Sequence, residues 1–129
     1  MAILGDFIVV KSGMVHIGDP KNGIKEYWQG KFRTSKRRGD RTALIMYEHK
    51  GIKLSGAKLF INDHEVLTLE KSGSSFRVDT ATFSESKLKS SGDNVIKIRA
   101  ASTGSSGSDT NRWDDFYIKN IVVFFHQES

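Results

Sequence analysis

The sequence predicts an all-β fold, a single-domain antiparallel β-sandwich over residues 1–129. Short runs rich in Val, Ile, Phe and Tyr are separated by Gly, Asn, Asp and Ser, which is the pattern of strands joined by turns. The helical signal is confined to 84–88, where Ser84 can cap one turn. Strands separated by regular turns, with almost no helix, indicate a sandwich or a barrel.

The individual strands follow from these runs in chain order. The predicted strands lie at 7–10, 14–17, 24–32, 43–47, 59–61, 66–69, 76–81, 95–100 and 116–125. Asn62 and Asp63 tolerate positive φ and predict a tight hairpin. Because strand side chains alternate between two faces, the pattern predicts a core that includes Leu44, Ile61, Val78, Ile98 and Val122. In the last strand Phe116, Ile118, Val122 and Phe124 are expected to face one way, and Ile121, Val123 and Phe125 the other.

Composition excludes several classes of protein. The chain is 37% hydrophobic and 27% charged, as in globular domains. It contains no cysteine, so disulfides, thiolate metal sites and thiol nucleophiles are excluded. No run approaches the roughly 18 apolar residues of a membrane helix, so no membrane insertion is expected. The N-terminus lacks a basic segment and Asp6 interrupts its apolar run, which predicts a cytoplasmic or particle-associated protein.

The chain has a net charge of +5, and its basic residues are most concentrated in one segment. Six cations lie in the segment 31–41: Lys31, Arg33, Lys36, Arg37, Arg38 and Arg41. The interspersed Ser, Gly and Asp predict a solvated basic loop. Nucleic-acid binding through this loop is a weaker interpretation, since Phe32 is its one aromatic residue.

The residues that carry catalysis or bind metals form no recognisable motif. The four histidines share no metal-ligand spacing, and neither a nucleophile elbow nor a phosphate-binding loop occurs. Ser12 and Ser72 each precede a glycine but have no other mark of a nucleophile. We therefore expect no enzymatic activity and no cofactor. A structural calcium ion bound by Asp109, Asp114 and Asp115 is the less favoured alternative.

Both tryptophans stand beside polar segments rather than within apolar runs. An exposed indole can pack on the C–H face of a sugar while neighbouring polar groups bind its hydroxyls. Capping of the sandwich core is the alternative role. The predicted ligand-binding residues are Trp113, Asp114, Asp115, Arg112 and Asn111, with Trp28 as a second centre. The adjoining Ser- and Gly-rich segment 101–111 is predicted to be a flexible loop.

The segment 42–100 resembles the galactose-binding-like jelly-roll domains. The matching features are an apolar strand followed by Gly56, the hairpin strand 59–63, the strand 76–79 and the turn 92–94 before an apolar strand. Asp63 stands where these domains usually have glycine. The closest parallel is the sugar-binding domain of glycoside hydrolases, and 115–123 is similar to the last strand of many carbohydrate-binding modules.

This resemblance implies a binding or scaffolding role, because the superfamily includes both. Carbohydrate recognition by a non-catalytic module is the leading interpretation. The alternative is a structural, self-assembling subunit or decoration protein of a larger particle, such as a virion or a tail-like assembly. Nucleic-acid binding through 31–41 ranks third. The expected partners are therefore carbohydrates or other protein subunits, including a homo-oligomer.

Overall fold

The computed structural model describes residues 3–34, 41–102 and 112–128, and these residues form nine strands. The strands are β1 (Ile3–Lys11), β2 (Val15–Ile17), β3 (Tyr27–Phe32), β4 (Thr42–Lys50), β5 (Lys58–Ile61), β6 (His64–Thr68), β7 (Arg77–Ser84), β8 (Asn94–Arg99) and β9 (Phe116–Glu128). Two short 3₁₀ helices cover Pro20–Asn22 and Glu85–Lys87. Within the described ranges, no helix has the length and apolar character that crossing a membrane requires.

The strands form two antiparallel sheets. One sheet has the order β1-β9-β4-β7, and β2 also pairs with β9. The strands β1 and β2 share β9 because they pair with different halves of it. The other sheet has the order β3-β8-β5-β6. This arrangement confirms the predicted antiparallel sandwich.

The core lies between the inner faces of the two sheets. In β4 the side chains alternate between buried and half-buried, with Ile45 and Tyr47 inward. The opposite sheet contributes Ile96 and Ile98 from β8 and Leu59 and Ile61 from β5, all of them fully buried. Burial of such aliphatic side chains supplies most of the stability of a sandwich. The predicted burial of Ile61 and Ile98 is therefore confirmed.

A bulge at Asn120 changes the facing of β9. Asn120 has a φ of 51°, and the pairing of β9 with β4 shifts register beside it. The bulge adds one residue to the strand and so reverses the side-chain alternation beyond it. Phe116 and Ile118 before the bulge, and Ile121 and Val123 after it, all point into the core. The prediction that Val122 shares the inner face with Phe116 and Ile118 is therefore wrong.

Two other core predictions are also wrong. Val78 is 56% exposed, because its neighbour Asp79 turns inward to bond the buried His49. Leu44 is half-buried on the outer face of its sheet, whereas Ile45 beside it is fully buried. In both strands the alternation is present, but its phase is opposite to the predicted one.

The predicted hairpin at Asn62 and Asp63 is confirmed. Both residues have positive φ, 48° and 68°, as a type I′ turn requires. The Asn62 side chain fixes the turn to β8 and to the 3₁₀ helix, since Oδ1 accepts from the Val95 N–H and Nδ2 donates to the Lys87 carbonyl. The single turn predicted after Ser84 is also present, and the Ser84 hydroxyl caps it by accepting from the Ser86 N–H.

Candidate functional site

A surface cavity of about 340 Å³ lies at the end of the five-stranded sheet where β4 ends and β9 begins. Lys50 is the last residue of β4, and Asp115 immediately precedes β9. The cavity is lined by Lys50, Gly51, Lys53, Gly73, Asp115 and Tyr117, among others. We call it the strand-end cavity. It brings cations, a carboxylate, an aromatic ring and exposed backbone together in one concave surface.

Gly51 shapes one wall of the strand-end cavity. Its φ of 85° lies in the left-handed region, and a Cβ atom there would lie 3.5 Å from the carbonyl oxygen of Asp115. The Gly51 N–H donates to the Gly73 carbonyl over 2.9 Å, which ties the segment after β4 to the segment before β7. Glycine at position 51 therefore allows the left-handed backbone conformation that turns the chain at the end of β4.

Tyr117 is held in place by its neighbours. The His16 ring from β2 stacks on it with a centroid distance of 4.4 Å and an interplanar angle of 17°. His16 Nε2 also makes a hydrogen bond to Oδ1 of Asp115. The Lys50 ammonium lies 5.4 Å from the Tyr117 ring centroid. These contacts make Tyr117 a fixed wall, and they leave its hydroxyl and the second Asp115 oxygen able to bond a ligand.

A second ring beside the cavity holds the neighbouring cations. The ammonium of Lys119 lies 4.0 Å from the Phe76 ring centroid, and that of Lys50 lies 4.8 Å from it. A cation over an aromatic ring is attracted by the ring quadrupole. Phe76 therefore orders both lysines on the outer face of the sheet.

A buried hydrogen-bond chain supports the wall formed by Gly73. His49 is fully buried, its Nδ1 pairs with the Ser72 hydroxyl at 2.9 Å, and its Nε2 pairs with Oδ2 of Asp79 at 2.7 Å. The Ser72 oxygen also accepts from the Ile52 N–H. This Ser–His–Asp order is known from hydrolases, but the buried His49 ring cannot reach a substrate at the surface. The chain positions the segment that leads into the cavity wall.

The charge of Asp79 is part of this support. Burial alone would raise the pKa of Asp79, but hydrogen bonds from His49 and Arg77, together with the Arg77 charge, outweigh it and lower that pKa. Burial raises the pKa of the nearby Tyr47 hydroxyl, with the Asp79 charge adding to the effect. Asp79 is therefore ionised and Tyr47 neutral at ordinary pH.

Asp114 and Asp115, both predicted to bind a ligand, have different surroundings in the structure. Oδ2 of Asp114 accepts from the N–H groups of Lys53 and Leu54 at 2.9 and 3.0 Å, and its carboxylate is buried. Asp114 thus fastens the segment after β4 and is occupied by backbone donors. Asp115 is exposed and lines the cavity. The structure brings Asp115, and not Asp114, to the strand-end cavity surface.

The other predicted ligand-binding residues lie apart from the cavity lining. Trp113 is half-buried against the core and forms a β-bridge with Ser102. Arg112 is exposed, with Nη1 at 3.9 Å from Oδ2 of the buried Asp19. Trp28 packs on the inner side of β3 against the core, over Gly30. Asn111 lies outside the described residues, as does most of the predicted loop 101–111.

The structure describes part of the alternative calcium site and part of the basic loop. Among residues 3–34, 41–102 and 112–128, no three His, Asp or Glu side chains are grouped as a metal would need. Asp109, from the alternative calcium site, lies outside these ranges, and so do residues 35–40 of the basic loop. At one end of that loop Arg33 pairs with Asp93 at 2.8 Å, which raises the pKa of the arginine and lowers that of the aspartate.

Two antiparallel sheets that enclose one core define a β-sandwich. No protein-family model and no curated protein matches the sequence. The structure is similar to part of a family 86 glycoside hydrolase solved with neoagarooctaose, with a TM-score of 0.54 and 12% identity over 98% of this chain. A variant of that hydrolase with the same ligand gives a TM-score of 0.55 at 12% identity and the same 98% coverage.

This chain spans 19% of the length of those hydrolases. A family 35 carbohydrate-binding module from Clostridium thermocellum is also similar, with a TM-score of 0.39 and 10% identity over 91% of this chain and 89% of that one. The hydrolase similarity shows the fold, in agreement with the galactose-binding-like jelly roll that the sequence resembles.

Proposed function

We propose that this chain is a non-catalytic carbohydrate-binding module that holds a sugar in the strand-end cavity. The observation that carries the proposal is the concave surface formed by Tyr117, Asp115, Lys50 and Lys53. Its volume of about 340 Å³ is at the small end of the range for ligand sites, which suits a short stretch of glycan.

The chemistry of the cavity suits a sugar better than an apolar ligand. His16 and Lys50 already lie against the Tyr117 ring, so its edge offers the apolar contact to sugar C–H groups and its hydroxyl can bond a sugar hydroxyl. Asp115 accepts hydrogen bonds and Lys53 donates them, so neighbouring sugar hydroxyls can be bound in both directions. His16 and Gly51 fix these groups before binding, which lowers the ordering cost.

The comparisons support this class of ligand. The hydrolase that contains a similar sandwich was solved with an agar oligosaccharide. A few hydroxyl bonds and one aromatic contact leave a weak affinity, in roughly the micromolar-to-millimolar range. The predicted contacts by Trp113, Arg112, Asp114, Asn111 and Trp28 remain predictions.

A glycan array followed by calorimetry tests this function. Tyr117→Ala should weaken binding of a glycan hit by at least about tenfold, which is roughly 1.4 kcal/mol. Tyr27→Ala is the matched control when the glycan hit is uncharged, because Tyr27 is a half-buried tyrosine on the other sheet. It should leave the affinity unchanged. Absence of any glycan hit would contradict the proposal.

The same hits distinguish the cavity from the sites first predicted at the tryptophans. Trp113→Ala and Trp28→Ala are measured beside Tyr117→Ala, with thermal unfolding as the check that each variant folds. Loss of binding in Tyr117→Ala alone supports the cavity. Loss confined to Trp113→Ala or Trp28→Ala would move the site to that tryptophan and leave the carbohydrate function in place.

The second candidate function is self-assembly, and one surface favours it. The outer face of the five-stranded sheet exposes Phe7, Val9, Phe124 and Val78, which are 60%, 51%, 37% and 56% exposed. Phe7 and Phe124 pair across β1 and β9 with ring centroids 6.0 Å apart. We call this surface the apolar face. Exposed apolar side chains of this kind mark an interface in many proteins, and a second copy of this chain can present the same face.

A further inference from the structure

The outer face of the four-stranded sheet carries a regular set of cations and rings. Six side chains on this face define what we call the basic face: Lys25, Tyr27, Lys58, Phe60, Lys97 and Arg99. Arg99 and Lys25 are exposed, and the other four are half-buried. Glu65 is the acidic neighbour, and it pairs with Lys58 at 3.0 Å.

The side-chain alternation in β8 and its pairing with β3 and β5 determine which residues form the basic face. In β8 Ile96 and Ile98 are fully buried, so Lys97 and Arg99 point to the opposite side. Arg99 lies between Tyr27 of β3 and Lys58 of β5, while Lys97 lies beside Phe60. The cations are therefore a consequence of the alternation that also builds the core, and a rigid central strand carries two of them.

The rings hold these cations in diagonal pairs. The Lys97 ammonium lies 4.8 Å from the Tyr27 ring centroid, and the Arg99 guanidinium lies 5.6 Å from the Phe60 centroid. Lys25 lies 5.8 Å from the Tyr27 centroid. Each contact restrains a long side chain without neutralising its charge. The basic face thus presents ordered positive charges to solvent.

We propose that the basic face binds an anionic polysaccharide through its carboxylate or sulfate groups. Lys97, Arg99 and Lys25 supply charge-assisted hydrogen bonds to those groups. Adjacent cations stand about 5–7 Å apart along and across the strands, which suits a chain bearing repeated anions. The inference goes beyond the proposed function, because this surface lies on the other sheet from the strand-end cavity.

The same geometry argues against a single-stranded nucleic acid as the ligand. Such binding relies on bases stacked on open aromatic rings. On the basic face the rings of Tyr27 and Phe60 already carry the cations Lys97 and Arg99. A polyanion that needs charge alone can use the face as it stands, whereas a base would first displace a cation.

Affinity electrophoresis in gels containing polygalacturonate, dextran sulfate or uncharged dextran tests the inference. The whole chain should be retarded by at least one of the two polyanions and not by dextran. The double substitution Lys97→Gln with Arg99→Gln should weaken that retardation by at least about tenfold. It should also lower the salt dependence of binding between about 50 and 200 mM, because fewer ions are released.

A matched control removes the same charge elsewhere. Lys11→Gln with Lys71→Gln lowers the net charge by the same amount, from outside the basic face. Its retardation should stay within about twofold of the parent chain, and thermal unfolding checks that both double variants fold. Equal loss in the two double variants would overturn the proposal, since the binding would then follow net charge alone.

Two further outcomes would also overturn the inference. One is the absence of retardation by both polyanions at about 50 mM salt, where charge attraction is least screened. The other is displacement of the polysaccharide by a short oligonucleotide at lower concentration, which would assign the face to nucleic acid. Tyr117→Ala should bind the polyanions normally, so failure of this inference is distinguishable from failure at the strand-end cavity.

Discussion

The two sheets of the sandwich present contrasting outer faces. The five-stranded sheet exposes phenylalanine and valine, with Phe7 60% exposed. The four-stranded sheet exposes lysine and arginine that rest on Tyr27 and Phe60. Both sheets bury aliphatic side chains on their inner faces. Inner faces in a sandwich must be alike because they share one core, whereas outer faces can differ and therefore carry the functional differences.

This contrast has a direct consequence for the two proposals. Exposure of the apolar face to water is unfavourable, and covering it lowers the free energy. The apolar face therefore suits a protein partner. Removing water from the basic face contributes little to the free energy of binding, whereas attraction to opposite charge contributes most. The basic face therefore suits an anionic chain. The strand-end cavity lies at one end of the same five-stranded sheet, and its lining includes Lys50, Lys53 and Asp115. One small domain thus offers three surfaces of different chemistry.

The largest expected effect separates the inner and outer faces. Ile98→Asp should lower the free energy of unfolding by about 4 kcal/mol or more, because it buries an unpaired charge. Val122→Asp should cost less than about 2 kcal/mol, since Val122 is half-exposed on the apolar face. Urea unfolding followed by circular dichroism measures both. Equal losses at the two positions would contradict the facing assigned to β9.

An intermediate effect is expected at the buried hydrogen-bond chain. Asp79→Asn should destabilise the chain by about 1–3 kcal/mol, because it replaces a carboxylate that accepts from His49 and Arg77. The control Asp63→Asn changes an exposed turn residue and should cost less than about 0.5 kcal/mol. Unfolding in urea at neutral pH compares the two variants.

The pH dependence of that difference follows from the lowered pKa of Asp79. The carboxylate stabilises the folded state fully above its unfolded pKa of about 3.9. The contribution is lost as pH falls through the lower folded pKa, because both states are then protonated. The difference in the free energy of unfolding between the parent chain and Asp79→Asn should therefore become smaller below about pH 4. A gap that widened on acidification would show that Asp79 is not held as the anion.

The smallest expected effect on stability concerns the apolar face. Phe7→Ser with Val9→Ser should change the free energy of unfolding by about 1 kcal/mol or less, since both side chains are largely exposed. If the face mediates self-association, sedimentation velocity should show dimers for the parent chain and monomers for this variant. Lys97→Ser with Arg99→Ser is the control on the basic face and should leave association unchanged. A monomeric parent at high concentration would remove the self-assembly candidate.

Much of the fold could be predicted because strands and turns depend mainly on residues that are close together in the sequence. All nine strand segments were identified, and the hairpin at Asn62 and Asp63 follows from two residues that tolerate positive φ. It was harder to predict which of the two alternating sets of side chains in a strand faces the core. Asn120 gives no local sign of a bulge, and Val78 exchanges faces with Asp79 because of a histidine 30 positions away in the chain.

The candidate site was predicted only at Asp115. The other groups at the strand-end cavity come from distant parts of the chain. Strand pairing brings His16 and Lys50 to Tyr117, and a backbone hydrogen bond joins Gly73 to Gly51. Periodicity cannot reveal which segments meet at one sheet end. Tyr117 carried the best local signal, as an aromatic residue that alternates with Phe116 and Ile118 at the start of the last strand.

The most direct test of the central claim is an amide NMR titration with the strongest uncharged glycan hit. Binding in the strand-end cavity predicts that the amide resonances of Gly51, Gly73 and Tyr117 shift together and saturate at one dissociation constant. The resonances of Lys97 on the basic face and Phe7 on the apolar face should stay in place. Shifts confined to Lys97 or Phe7, with the cavity amides unchanged, would contradict the account.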